Sequence, residues 1–258
     1  MDASIPGLLA PLLALWWPFC RVMAMLSAAP ILGDGSVPIT VRVLLSLVLA
    51  VVLLPVARPA VVIDPLSLHA VVATIEQVAI GGLLGLALHF TTSVIMVLGY
   101  MVSSQMGLSM AVMNDPLSGV SSDVVSSLLS ILGILVFFSI DGHLLLVQVL
   151  GASFQQWPVG SGISLPALRS VAFNVAWVFS AALLLALPIM LATLVVQMGF
   201  GFLARVAPTL NLFALGFSVV TLFGIFMLSQ LVQFLPEHYV RMTTQVLDML
   251  RQTMQQRP

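Results

Sequence analysis

Four ionisable side chains stand inside long apolar stretches of this sequence: Arg21, Glu76, His89 and Asp141. A fifth, Arg205, closes another stretch. A charge at the centre of a bilayer costs roughly 2.5–3.5 kcal/mol on insertion scales, so such residues face protein or water rather than lipid. Arg21, Glu76, Asp141 and Arg205 are therefore read as buried or intersubunit polar ties. Arg21 could pair with either Glu76 or Asp141, and spacing alone does not choose. His89 reads as an ordinary polar contact. Other reactive groupings are missing. The sequence holds no HExxH, no GxxxxGK[ST] and no GxSxG, and His69, His89, His143 and His238 are scattered. Cys20 stands alone, which precludes an internal disulfide and a metal site built on thiolates. No enzymatic activity, cofactor or metal is expected.

A second group of residues lies in QMGLSMAVMNDPLSGVSSD, positions 105–123. Met106, Met110 and Met113 are spaced to share one helical face, and Ser103, Gly107 and Ala111 recur every fourth residue on another. The thioether face suits a surface that must repack. The small-residue face suits close helix contact, as does the Gly81/Gly85 pair of GGLLG. The pattern predicts a helix to Met113 and a stop at Asn114-Asp115-Pro116. Ser121-Ser122-Asp123 then reads as the cap of the next helix.

The elements that must position these residues follow from composition. The chain has 258 residues, 60% hydrophobic and 7% charged. Soluble domains carry about 25% charged residues, so this is an integral membrane protein. The net charge is -1 and every basic residue is Arg, which offers nothing to nucleic acid. Apolar runs cover about 8–32, 39–63, 71–113, 124–157, 171–204 and 210–235. Alternating polarity is absent, so the fold class is all-α, with about six long, kinked apolar helices. The third, fourth and fifth runs exceed the ~20 residues of one span. Gly81-Gly82, Gly99, Asp141-Gly142 and Pro188 are candidate breaks. Pro236 reads as the first turn of a separate C-terminal amphipathic helix. Its apolar face would be Tyr239, Met242, Val246, Met249 and Leu250, for lipid or a partner subunit. The N-terminus has no positive region and reads as a membrane helix that stays.

Five segments in fixed order carry a resemblance: WPFCRVMAMLSAAPILGDGSVPITVRVLL (17–45), QMGLSMAVMNDP (105–116), DGHLLL (141–146), ALPIM (186–190) and GFLARVAPTLNLFALGF (201–217). Together they resemble the FliR/SctT family of type III secretion export gate proteins, found in flagella and injectisomes, and the flagellar branch more closely. The family often has Asn at Asp141 and Pro at Ser218.

The resemblance implies a core subunit of the flagellar export gate in the bacterial inner membrane, within the flagellar basal body. One copy would join several FliP-type and FliQ-type subunits in a hollow helical assembly, beside an FlhB-type switch protein. Unfolded flagellar subunits would pass through it. Residues 1–165 would be FliP-like and 166–258 a FliQ-like hairpin. The plug of the closed pore would be Met106-Gly107-Leu108-Ser109-Met110-Ala111-Val112-Met113-Asn114-Asp115-Pro116. Two rival readings rest on the residues alone. Broken helices and midplane charges also suit a small-solute secondary transporter, and tight helix packing suits a membrane scaffold without a pore.

Overall fold

A chain this apolar can hide its peptide groups from lipid only by bonding them within each segment, which selects helices. The computed structural model describes residues 5–33, 35, 37–57, 64, 67–108, 123–162, 165–207 and 212–255. Among them are seven α-helices: α1 (Ile5–Ala28), α2 (Ile39–Leu53), α3 (Leu68–Gln105), α4 (Val124–Ser139), α5 (Gly142–Gln156), α6 (Leu165–Val206) and α7 (Leu212–Gln255). Leu68–Gln105, Leu168–Val206 and Leu215–Thr253 are long and apolar enough to cross a membrane, and α4 with α5 makes a fourth if that bent pair is one span.

The helix ends differ from the expected ones for local reasons. The second apolar run stops at Leu53, because Pro55 has no N–H for the Val51 carbonyl and the Leu54 N–H takes it instead, at 3.3 Å. Its 15 residues make a helix of about 22 Å, short of the bilayer core. The candidate breaks at Gly81-Gly82, Gly99 and Pro188 are not breaks, since α3 and α6 run through them. The break at Asp141-Gly142 is real: α4 and α5 bend by 68° there. Asp141 sits in the left-handed region at φ 55, which Asp and Asn tolerate better than most residues. The resembled family's Asn at this position meets the same backbone demand, so conformation rather than charge explains the residue.

The separate C-terminal helix does not exist as such. Helix α7 continues through Pro236. The face expected to meet lipid or a partner is largely covered by this chain itself, with Tyr239, Met242, Val246 and Leu250 buried. The opposite face carries the exposed ion pairs Arg241–Glu237 (2.7 Å) and Arg251–Asp248 (3.5 Å). Each such pair stabilises by a few tenths of a kcal/mol at most.

Packing divides the chain into two compact units. One unit is Met1–Phe90, Phe138–Val175 and Thr243–Pro258; the other is Thr91–Phe137 and Ala176–Met242. In the first, Val22, Met25, Leu26, Leu84, Leu150 and Phe154 are buried. In the second, Ile95, Leu98, Met106, Leu129, Ala182 and Tyr239 are buried. The first unit also holds a tight turn after α1. Ile31 adopts φ 70, Gly33 N–H bonds the Ala29 carbonyl, and Arg42 of α2 donates from Nε to the Leu32 carbonyl at 2.9 Å. The arginine ties down the turn at Leu32, next to the strained, β-branched Ile31.

Candidate functional site

The first unit is built around Arg21. Its side chain is fully buried. Nε donates to Gln77 Oε1 at 2.8 Å, Nη1 to Ser153 Oγ at 3.2 Å and Nη2 to the Trp157 carbonyl at 2.8 Å. The guanidinium carbon also lies 4.2 Å from the centre of the Phe154 ring. One side chain thus joins α1, α3 and the end of α5. Glu76 is buried beside it but makes no direct contact. Gln77 stands between them, accepting from Arg21 and donating from Nε2 to Glu76 Oε1 at 3.3 Å. A planar guanidinium spreads five donors in fixed directions, so it spans acceptors on separate helices that the single point of a lysine ammonium does not reach together.

Two glycines let α3 approach α1 this closely. A Cβ at Gly81 would overlap the carbonyl oxygen of Arg21, and one at Gly85 would stand 2.5 Å from that of Met25. The polar network and the glycine contacts lie on the same pair of helices, so each depends on the other.

The remaining charges do not join this cluster. Asp141 is exposed at the α4–α5 bend, so neither of the expected pairings of Arg21 is formed as a direct contact. Arg205 is exposed in the last turn of α6, where a cation complements the helix dipole. Neither residue is a buried tie within this chain. His89 is half-buried on α3.

The second unit holds the start of the methionine segment. Helix α3 ends at Gln105, eight residues before the expected stop. Gly107 at φ 76 is the reason. Its N–H bonds the Ser104 carbonyl at 3.2 Å, and the Leu108 N–H bonds the Ser103 carbonyl at 3.1 Å. That pair of bonds is the Schellman termination, which a left-handed glycine permits. Gly107 thus terminates α3; Met110, Ala111 and Met113, on which the expected stripes depend, lie outside the described residues. Of the plug residues, Met106, Gly107 and Leu108 are described; Ser109 to Pro116 lie outside the described residues. Met106 is buried, with its side chain seated where a Cβ on Gly224 of α7 would stand.

The chain is held again where it re-enters helix. Asp123 caps α4 by accepting the Ser126 N–H at 3.0 Å through Oδ2, as the Ser-Ser-Asp pattern predicts. Its other oxygen accepts the hydroxyl of Ser103 from α3. Both residues are buried. The two helices also touch at Gly99, where a Cβ would lie 2.5 Å from Ser126 Cα. Asp123→Ala should lower thermal stability by about 2 kcal/mol or more, through the lost cap and the stranded Ser103 hydroxyl. Asp123→Asn keeps an acceptor and should retain most of it. Unfolding in detergent measures both, and equal effects would show that the cap is unimportant.

Sequence reasoning missed Gln77, Ser153 and Trp157 around Arg21 because it looked for opposite charges. The usable signal was a neutral Gln adjoining Glu76 inside an apolar run.

These observations define an all-helical membrane protein whose buried polar groups bind helices to one another. The chain matches the family described as bacterial export proteins, family 1, over residues 12–246, and it belongs to that family. It is 32% identical over 236 residues to the flagellar biosynthetic protein FliR of Pectobacterium carotovorum subsp. carotovorum, covering 91% of this chain and 90% of the relative. The corresponding protein of Escherichia coli is 29% identical over 244 residues, 94% and 93% of the two chains. The surface presentation of antigens protein SpaR of Salmonella typhimurium is 30% identical over 185 residues, 70% and 68%. The family and the apolar spans place the chain in the bacterial inner membrane as an export component.

Proposed function

We propose that this chain is the core subunit of a flagellar type III export gate, present once per complex. FliP-type and FliQ-type subunits would surround it, and an FlhB-type switch protein would contact it. Residues 106–116 would seal the channel until an unfolded flagellar subunit enters. The gate is passive in this reading, and energy and substrate selection come from other components. The observation that carries the proposal is the near full-length similarity to flagellar biosynthetic proteins. The control of the chain on both sides of residues 109–122 supports the sealing part. Gly107 ends one helix, Asp123 starts the next, and Ser103 joins them.

Purification of tagged chain should recover one copy with several copies of small helical partners; an isolated monomer that binds a solute would overturn the gate. Deletion of 106–113, or alanine at Met106, Met110 and Met113 together, should raise ion conductance of the membrane when no substrate is in transit. Unchanged conductance would remove the sealing role and leave a scaffold.

A further inference from the structure

The last four carbonyls of a helix have no partner within it, and each must be satisfied elsewhere. At the end of α3 all four can be followed. Ser103 and Ser104 carbonyls are taken by the backbone of Leu108 and Gly107. The Gln105 carbonyl accepts Nε2 of Gln197 from α6 at 3.0 Å. The Met106 carbonyl accepts the Thr221 hydroxyl from α7 at 3.1 Å; Thr221 shares its proton with the Phe217 carbonyl of its own helix at 2.9 Å. Around these bonds, Gly224 leaves the space that the Met106 side chain fills, and the Phe217 ring closes on Gly107.

Half of this helix terminus is thus completed by side chains more than ninety positions away in sequence. Gln197 and Thr221 are polar residues on two helices otherwise rich in exposed apolar side chains.

We propose that Gln197, Thr221 and Gly224 are positioning residues for the end of α3: where Gly107 lets the helix stop, they fix the direction in which the chain leaves it. The inference deepens the proposed sealing role and rests on it for its consequence only. The hairpin formed by α6 and α7 then holds the base of the segment. Displacing the hairpin by about one hydrogen-bond length frees two carbonyls and empties the Gly224 notch together.

The test uses the full chain in its membrane complex with Cys20→Ala, so that no native thiol competes. Met106→Cys with Gly224→Cys brings two Cβ atoms within disulfide reach, because the Met106 side chain already occupies the Gly224 notch. Oxidation should cross-link them. Adding Gln197→Ala and Thr221→Val should slow cross-linking at least about fivefold, the effect of one net hydrogen bond. Thr221→Ser, which keeps the hydroxyl, should not. No cross-link in the parent pair, or a rate indifferent to the double substitution, overturns the proposal. If the double variant fails to assemble, Thr221→Val alone replaces it, with the same two outcomes. Ion conductance separates this inference from the sealing role. Unchanged conductance on deleting 106–113 ends the sealing role while cross-linking still decides positioning. A leak from the deletion without one from Gln197→Ala/Thr221→Val overturns the consequence drawn here.

Discussion

Arg21→Met should destabilise the chain by about 3–5 kcal/mol, the usual cost of removing one member of a buried charged network. Typical proteins hold only about 5–15 kcal/mol in total, so little folded chain should survive in membranes. The cost is not mainly the lost attraction to Glu76, which Arg21 does not touch. It is the stranding of Gln77 Oε1, Ser153 Oγ and the Trp157 carbonyl in a buried site. Arg21→Lys should fall between wild type and Met, because one ammonium cannot reach acceptors on α3 and at the end of α5 together. Thermal unfolding of the purified complex in detergent, with recovery from membranes, measures both. Wild-type stability in Arg21→Met would show that the network adds nothing.

The second large effect is a difference in sign between neighbouring residues. Gly81→Ala places a methyl on the Arg21 carbonyl oxygen and 3.0 Å from Ala24 Cβ, both on α1. Overpacking of this kind costs about 1–3 kcal/mol, and here the obstacle is backbone, which yields least. Gly82→Ala meets nothing within 4 Å. There the alanine only removes a poor helix former, a gain of up to about 1 kcal/mol. The same chemical change one residue apart should therefore raise one unfolding temperature and lower the other. Equal shifts would mean that α1 and α3 are not in contact at Gly81. Arg21→Met/Gly81→Ala should cost less than the sum of the two, because once the Arg21 network no longer holds α1 against α3 the helices can part to admit the methyl.

The helices were legible because lipid solubility forces long apolar runs and their breaks carry Gly, Pro or Asp. The bend at Asp141-Gly142 and the cap at Asp123 could be read directly, since both are local demands on a few consecutive residues. Gly107 was misread because a small residue four positions from Ser103 fits a packing stripe as well as it fits a helix terminus. Its φ of 76 is what separates the two, and that is a property of the folded backbone. Pro236 was misread for a similar reason. A proline suits the first turn of a helix, but it is also tolerated inside one whose next turns, at Tyr239 and Met242, are buried against the rest of the chain.

The sequence alone determined that this is an all-α membrane protein and which family's motifs it carries. Those follow from composition and from short stretches, where each residue acts on its neighbours. Tertiary structure decided what the buried charge does and where α3 ends. Arg21 is satisfied by a glutamine, a serine and a carbonyl rather than by either acid. The α3 terminus is completed by two helices from the other end of the chain. Hydrogen-bond partners in a dry interior are chosen by distance and direction in space, and those arise only when the helices have packed.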